Sequence, residues 1–171
     1  MVNKDQVLEV PITQDELRTL ANLATEKWKL SKRRPQFQID DAVAYELGVY
    51  GVAKRLFGMS LADARYWLSR SIPQQKVDLP PTNIVVHTEH IEVARKISSY
   101  QLQRAEDPSL LYILALAAMD YGKWEGVVYL VGWISGVKCG AIGVDGLYPI
   151  TPIIWEWQFG PFPPFKGDRK E

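Results

Sequence analysis

The chain has 171 residues, 47% hydrophobic and 23% charged, with 20 basic and 20 acidic side chains and a formal net charge of +0. That length and mix suit one folded domain with a real core and exclude a disordered chain. The even charge balance excludes a uniformly basic coat for duplex binding and leaves only local basic patches.

Cys139 is the single cysteine; it cannot close an intramolecular disulfide, which suits a reducing compartment. The N-terminal stretch MVNKDQVLEV is charged and has no apolar signal region. The longest apolar run, Leu110 to Met119, is too short to cross a bilayer as a helix. A cytoplasmic location without a membrane partner is expected.

In chain order, Val7 to Ile12 predicts a short strand, with Pro11 favouring an edge or an end. Thr13 and Glu16 then form a capping-box pattern. Leu17, Leu20, Ala21, Ala24 and Trp28 follow at helical spacing, up to the basic run that Pro35 stops. Asp40 or Asp41 caps a second helix whose apolar side holds Val43, Leu47, Tyr50 and Leu56. Gly48 and Gly51 lie inside it; each costs about 1 kcal/mol against alanine, so a close approach is expected there. Gly58 ends that helix, and Ser60 caps a short third one over Leu61 to Leu68.

From Val77 the pattern turns to strands. Ile84 to Val86 and Ile91 to Val93 read as a hairpin or bent strand pair around His87, Thr88, Glu89 and His90. Leu102 starts a further strand, and Asp107-Pro108 marks a turn. Leu110 to Ala118 is a buried strand or a buried helix, which periodicity does not decide. Val127 to Ile134 is strongly β-prone. The tail from Trp155 to Phe165 sets five aromatic residues among prolines, a surface for covering the sheet or pairing with a second copy. Helices followed by strands give an α+β or α/β sandwich.

The residues with chemical promise are Asp78 and Glu92, in the segment VDLPPTNIVVHTEHIEVARK. One acid before a β-rich stretch and a second inside an apolar strand can hold Mg²⁺ or Mn²⁺, hard cations that take oxygen ligands. Such an ion activates water and steadies charge on a phosphodiester.

In this order the residues resemble the PD-(D/E)XK nuclease family. Asp78 matches its aspartate, and Ile91-Glu92-Val93 matches its IEVK strand. Gly48-Val49-Tyr50-Gly51-Val52-Ala53 matches the frame of its helical GxxGExA pattern. Tyr129 to Gly136, YLVGWISG, is similar to a late strand of many phage-encoded members. The resemblance spans residues 40–136. It implies a restriction-endonuclease-like core, a central mixed sheet with N-terminal helices packed on it. Residues 1–39 form an extension and 137–171 the aromatic tail, all within one domain. It further implies a metal-dependent DNA nuclease, in the host cytoplasm if phage-encoded, with Asp78 and Glu92 on the metal.

The departures fall on the helical acid and the lysine. Val52 stands where the family has its helix glutamate, and Glu46 on the same helix is the substitute. Ala94 stands where the lysine belongs, and Lys96, two residues on, returns to the same strand face. An alternative register puts Val85 and His87 in the key slots and has no acid. A catalytically decayed member, kept for protein or nucleic-acid binding or for assembly, is therefore the second reading.

The same residues carry plainer readings. Asp78 suits a turn, Glu92 a solvent-facing strand position, Glu46 a solvated helix face and Lys96 a surface charge. Lys32, Arg33, Arg34 and Arg95 suit DNA-backbone contact, and the cluster from Lys27 to Arg34 equally suits a helix C-terminus neutralised by cations. His87 and His90 lack the further ligands a zinc site needs. No GxSxG, Walker A or GxGxxG loop is present.

Overall fold

The computed structural model describes residues 7–27, 36–63, 84–91 and 97–150. They form a three-layer α+β arrangement. Two helices cover one face of a mixed four-stranded sheet, and a two-stranded sheet with its loops covers the other.

The chain enters on β1 (Leu8–Ile12), which takes an edge position beside β5, where Pro11 deprives no central ladder of a donor. The capping box forms as expected. Thr13 N–H donates to Glu16 Oε1 at 2.9 Å, and Glu16 N–H donates to Thr13 Oγ1 at 3.2 Å. It opens α1 (Gln14–Lys27), which buries Leu17, Leu20, Leu23 and Ala24. Trp28 lies outside the described residues.

Helix α2 spans Gln36–Phe57 and begins before the aspartates expected to cap it. Its two internal glycines do what their cost implied. A Cβ on Gly48 would overlap the Thr88 methyl, and one on Gly51 would sit 2.8 Å from Val128 Cγ1. Both positions let the helix backbone lie directly on the sheet. Gly58, at φ +63°, ends the helix in the left-handed conformation that glycine adopts without penalty. Ser60 Oγ then accepts from Asp63 N–H at 3.2 Å, the start of the next helical turn. The rest of the expected third helix lies outside the described residues.

The expected hairpin around His87 to His90 is instead one continuous strand, β2 (Ile84–His90), paired in parallel with β4 (Asp107–Asp120). Parallel neighbours need a crossover rather than a tight turn. Ile91, Tyr100 and Leu102 pack on the sheet face opposite the helices, where the chain lays down β3 (Gln101–Arg104). Asp107-Pro108 is likewise not a free turn. Asp107 pairs with Gly136, its carboxylate accepts from Ser109 N–H at 3.0 Å, and the register shifts before Leu111.

The apolar run Leu110 to Ala118 is a strand because β4 is central and covered on both faces. Leu111, Ile113, Ala115 and Ala117 pack under the helices. Tyr112, Leu114, Leu116 and Ala118 pack under the small sheet. Two covered faces erase the apolar–polar alternation that would have marked a strand.

Strand β5 (Glu125–Gly136) returns antiparallel to β4 around a tight loop. Asp120 Oδ1 accepts from Gly122 N–H at 3.0 Å there, and Trp124 adopts φ +53°. Arg18 of α1 lies over the Trp124 ring, 4.8 Å from its centroid, and so ties the hairpin to the helix. A register shift leaves Val131 unpaired between Leu130 and Gly132. The extra residue flips the facing beyond it, so Trp133 joins the helix side and Ile134 the opposite side. Finally β6 (Gly140–Gly143) pairs antiparallel with β3, and Tyr148 bridges to Trp133.

One buried polar cluster joins β1, α1 and α2. Glu16 accepts from the Tyr50 hydroxyl and from Lys54 Nζ at 3.0 Å, and Lys54 also donates to the Pro11 carbonyl at 3.3 Å. Burial pushes the Glu16 carboxyl up, but the Tyr50, Thr13 and Lys54 hydrogen bonds and the Lys54 charge outweigh it and hold it below its ordinary value.

Two outcomes follow from this packing. In urea denaturation, Gly48→Ala destabilises the fold, because overpacking costs about 1–3 kcal/mol against about 1 kcal/mol gained in helix propensity. Adding Thr88→Ser, which removes the obstructing methyl, recovers most of the loss. Glu16→Gln costs about 1.5–3 kcal/mol, the worth of hydrogen bonds to a charged group. Because the folded carboxyl sits below its ordinary 4.5, the unfolded chain takes up the proton first as pH falls. The stabilisation is present above that value and is lost as pH drops through the folded one. Denaturation across acid pH should show a flatter decline for the variant than for wild type.

Candidate functional site

A cleft of about 710 Å³ opens where three segments meet. These are the N-terminal half of α2, the C-terminal half of β2, and the turn that leads into β3. Strand β2 lies at the sheet edge among the described strands. Its side chains alternate in facing. Ile84, Val86 and Thr88 face the helices, as the Thr88–Gly48 approach requires. Val85 packs on the other side, so His87 and Glu89 share its face. Helix α2 adds Asp41 and Tyr45 to the cleft, and β3 adds Gln101 and Gln103. These glutamines alternate with the fully buried Leu102, so both amides reach the same side.

The charge that the described residues bring to this cleft is acidic. Asp41 and Glu89 supply carboxylates, and no lysine or arginine of the described residues lines it. Burial holds the His87 imidazole below its ordinary pKa, against the pull of nearby Glu89. His87 is thus a neutral ring at pH 7, with one donor nitrogen and one acceptor nitrogen. Among the described residues no group of three or more His, Cys, Asp or Glu side chains is placed to hold a metal ion.

Of the residues expected to bind metal, catalyse or contact DNA, Glu46 alone falls in the described structure, and it is not on a solvated face. It is fully buried, and its Oε1 meets Lys27 Nζ at 2.9 Å; the Lys27 side chain is itself only 7% exposed. Lys27 also lies over the Tyr45 ring, 5.5 Å from the centroid. The carboxylate therefore has its counter-charge within the core, and the lysine at the end of α1 is a packing partner rather than part of an exposed basic patch. Val52, where the family places its acid, is fully buried in the helix-side core. Cys139 is exposed, beside β6. Asp78, Glu92, Ala94, Arg95 and Lys96 lie outside the described residues, as do Lys32, Arg33, Arg34 and the tail from Trp155 to Phe165.

Sequence reasoning passed over the cleft itself. Asp41 read as a cap and Glu89 as a hairpin-tip residue. Gln101 and Gln103 carried a visible signal, polar residues flanking one apolar residue, but nothing local links β3 to β2.

The Lys27–Glu46 pair has a direct test. Glu46→Ala leaves an ammonium buried without this partner and should cost about 3–5 kcal/mol, whereas replacing both partners by apolar residues should recover most of it. Urea denaturation of Glu46→Ala and of Lys27→Met/Glu46→Leu measures both. Comparison with protein-family models, with curated proteins and with solved structures finds no match to this chain.

Proposed function

We propose that this chain is a divalent-metal-dependent deoxyribonuclease of the PD-(D/E)XK kind, working at the cleft beside β2. The observation that carries the reading is the course of β2. Among the described strands it lies at the edge of a mixed sheet, it borders the cleft of about 710 Å³, and Ile91 and Glu92 follow it in the sequence. The Gly48–Gly51 frame on which the resemblance rests is also the frame that seats α2 on that sheet. Asp78 and Glu92 would hold Mg²⁺ or Mn²⁺, which would supply an activated water and charge stabilisation. Lys96 would orient that water, and Lys32, Arg33, Arg34 and Arg95 would hold the DNA backbone. Glu46 drops out of this set, since Lys27 and the core already engage it.

A second reading, a nuclease-type fold kept for binding or assembly, draws on two observations. Val52 is buried where the family places an acid, and Glu46 is committed elsewhere.

Titration calorimetry with Mg²⁺ and Mn²⁺, paired with cleavage assays on single- and double-stranded DNA, separates the two. The nuclease reading expects metal binding and cleavage in wild type. In Asp78→Ala/Glu92→Ala it expects both to vanish, beyond the roughly 10–100-fold losses of outer-shell changes. Equal cleavage by the variant overturns the site, and a wild type without metal binding or cleavage favours the binding module.

A further inference from the structure

We infer that the cleft beside β2 binds an unpaired nucleobase, with Gln101, Gln103 and Glu89 reading its edge; the inference rests on the nucleic-acid reading above for the source of the base. The size suits the role, since pockets for small organic groups run to about 300–1,000 Å³ and this one is about 710 Å³.

The described lining does not suit a phosphate. A backbone-binding groove is lined by lysine and arginine, whereas the described lining here holds the carboxylates of Asp41 and Glu89 and no such cation. What it offers instead is neutral, two-way hydrogen bonding. Gln101 and Gln103 are exposed, stand two residues apart on one face of β3, and each present an amide N–H pair and a carbonyl. A glutamine amide matches the adenine edge, and a carboxylate such as Glu89 accepts from the exocyclic amine of cytosine.

Aromatic side chains stand beside these groups. Tyr45 lines the cleft from α2 and His87 from β2. Burial keeps the His87 ring neutral at pH 7, so it stacks on a base face without bringing charge. Stacking of this kind tolerates any base, while the amides supply preference. A paired base is held within the helical stack and cannot enter a cleft, so the cleft selects single strands or flipped-out nucleotides.

Fluorescence anisotropy with short labelled DNA tests this, in the presence of EDTA so that no cleavage occurs. Three probes of equal length are compared: a single strand, the same strand carrying abasic sites throughout, and the blunt duplex. The single strand should bind about tenfold or more tighter than either of the others. Gln101→Ala/Gln103→Ala should erase that advantage and leave the abasic strand unchanged, as expected from the loss of bidentate contacts. Both substitutions fall on exposed strand positions, and a matching thermal melt confirms the variant's fold. Equal binding of the normal and abasic strands overturns the base pocket, as does a variant that binds like wild type or a chain that binds no strand. Cleavage with Mg²⁺ is read separately. A protein that cuts DNA but shows no base preference keeps the nuclease reading and loses the pocket. One that prefers bases but never cuts keeps the pocket and loses the nuclease.

Discussion

The close seating of α2 on the sheet is the constraint on which the rest of this structure depends. It is possible only because Gly48 and Gly51 present bare backbone to Thr88, Ala115 and Val128. Small residues at a contact let a helix approach more closely than the ridge packing of larger side chains allows. Glycine is unfavourable mid-helix, so packing must more than offset that cost. It does so by enclosing Leu47 and Tyr50, both at most 1% exposed, among β1, β2, β4 and β5. The same seating sets Asp41 and Tyr45 at the mouth of the cleft and turns Glu46 inward to Lys27.

Two buried carboxylates then fix how the helices meet. Glu16 joins β1, α1 and α2 through the Thr13 amide, Tyr50 and Lys54, while Glu46 joins the far end of α1 to the middle of α2. Neither is an isolated buried charge, the arrangement that a core does not tolerate. Apolar packing alone specifies the position of one helix along another only loosely. A carboxylate at each end of the α1–α2 contact allows a single alignment, because a slip of one turn would strand both. Charge that holds architecture in this way is not available for chemistry.

Local patterns were legible in the sequence, and longer-range ones were not. The capping box at Thr13–Glu16, the edge strand with Pro11, the stop at Gly58 and the demand of two glycines for a close neighbour each depend on a few adjacent residues, and each stands in the structure. The reading of β2 failed because its apolar half, Ile84 to Val86, gives way to His87, Thr88, Glu89 and His90, and polar residues between β-prone runs look like a turn. In the fold they are polar because this half of an edge strand borders an open cleft. The ambiguity of Leu110 to Ala118 had the opposite cause, burial on both faces. The bulge at Val131 was invisible because it is a property of the pairing and not of the strand. The glutamines of β3 became site residues only through the crossover that brings them to β2.

The charge of the cleft limits how a nucleic acid could lie there. Two unit charges 4 Å apart interact by about 1 kcal/mol in water and about 4 kcal/mol where the effective dielectric is near 20. A phosphate driven against Asp41 and Glu89 would therefore be repelled unless a cation stood between them. A strand would avoid that cost by keeping its backbone outside, toward basic residues elsewhere on a chain with no net charge, and by turning a neutral base inward to the amides and the His87 ring. Backbone outside and base inside is also the posture in which a scissile phosphodiester stays accessible to water at the rim. On the proposed reading, a base-holding cleft and a hydrolytic site two residues past the end of β2 would be compatible demands on the same strand. The polar residues of that strand would serve the first, and the acid that follows Ile91 in the sequence would serve the second.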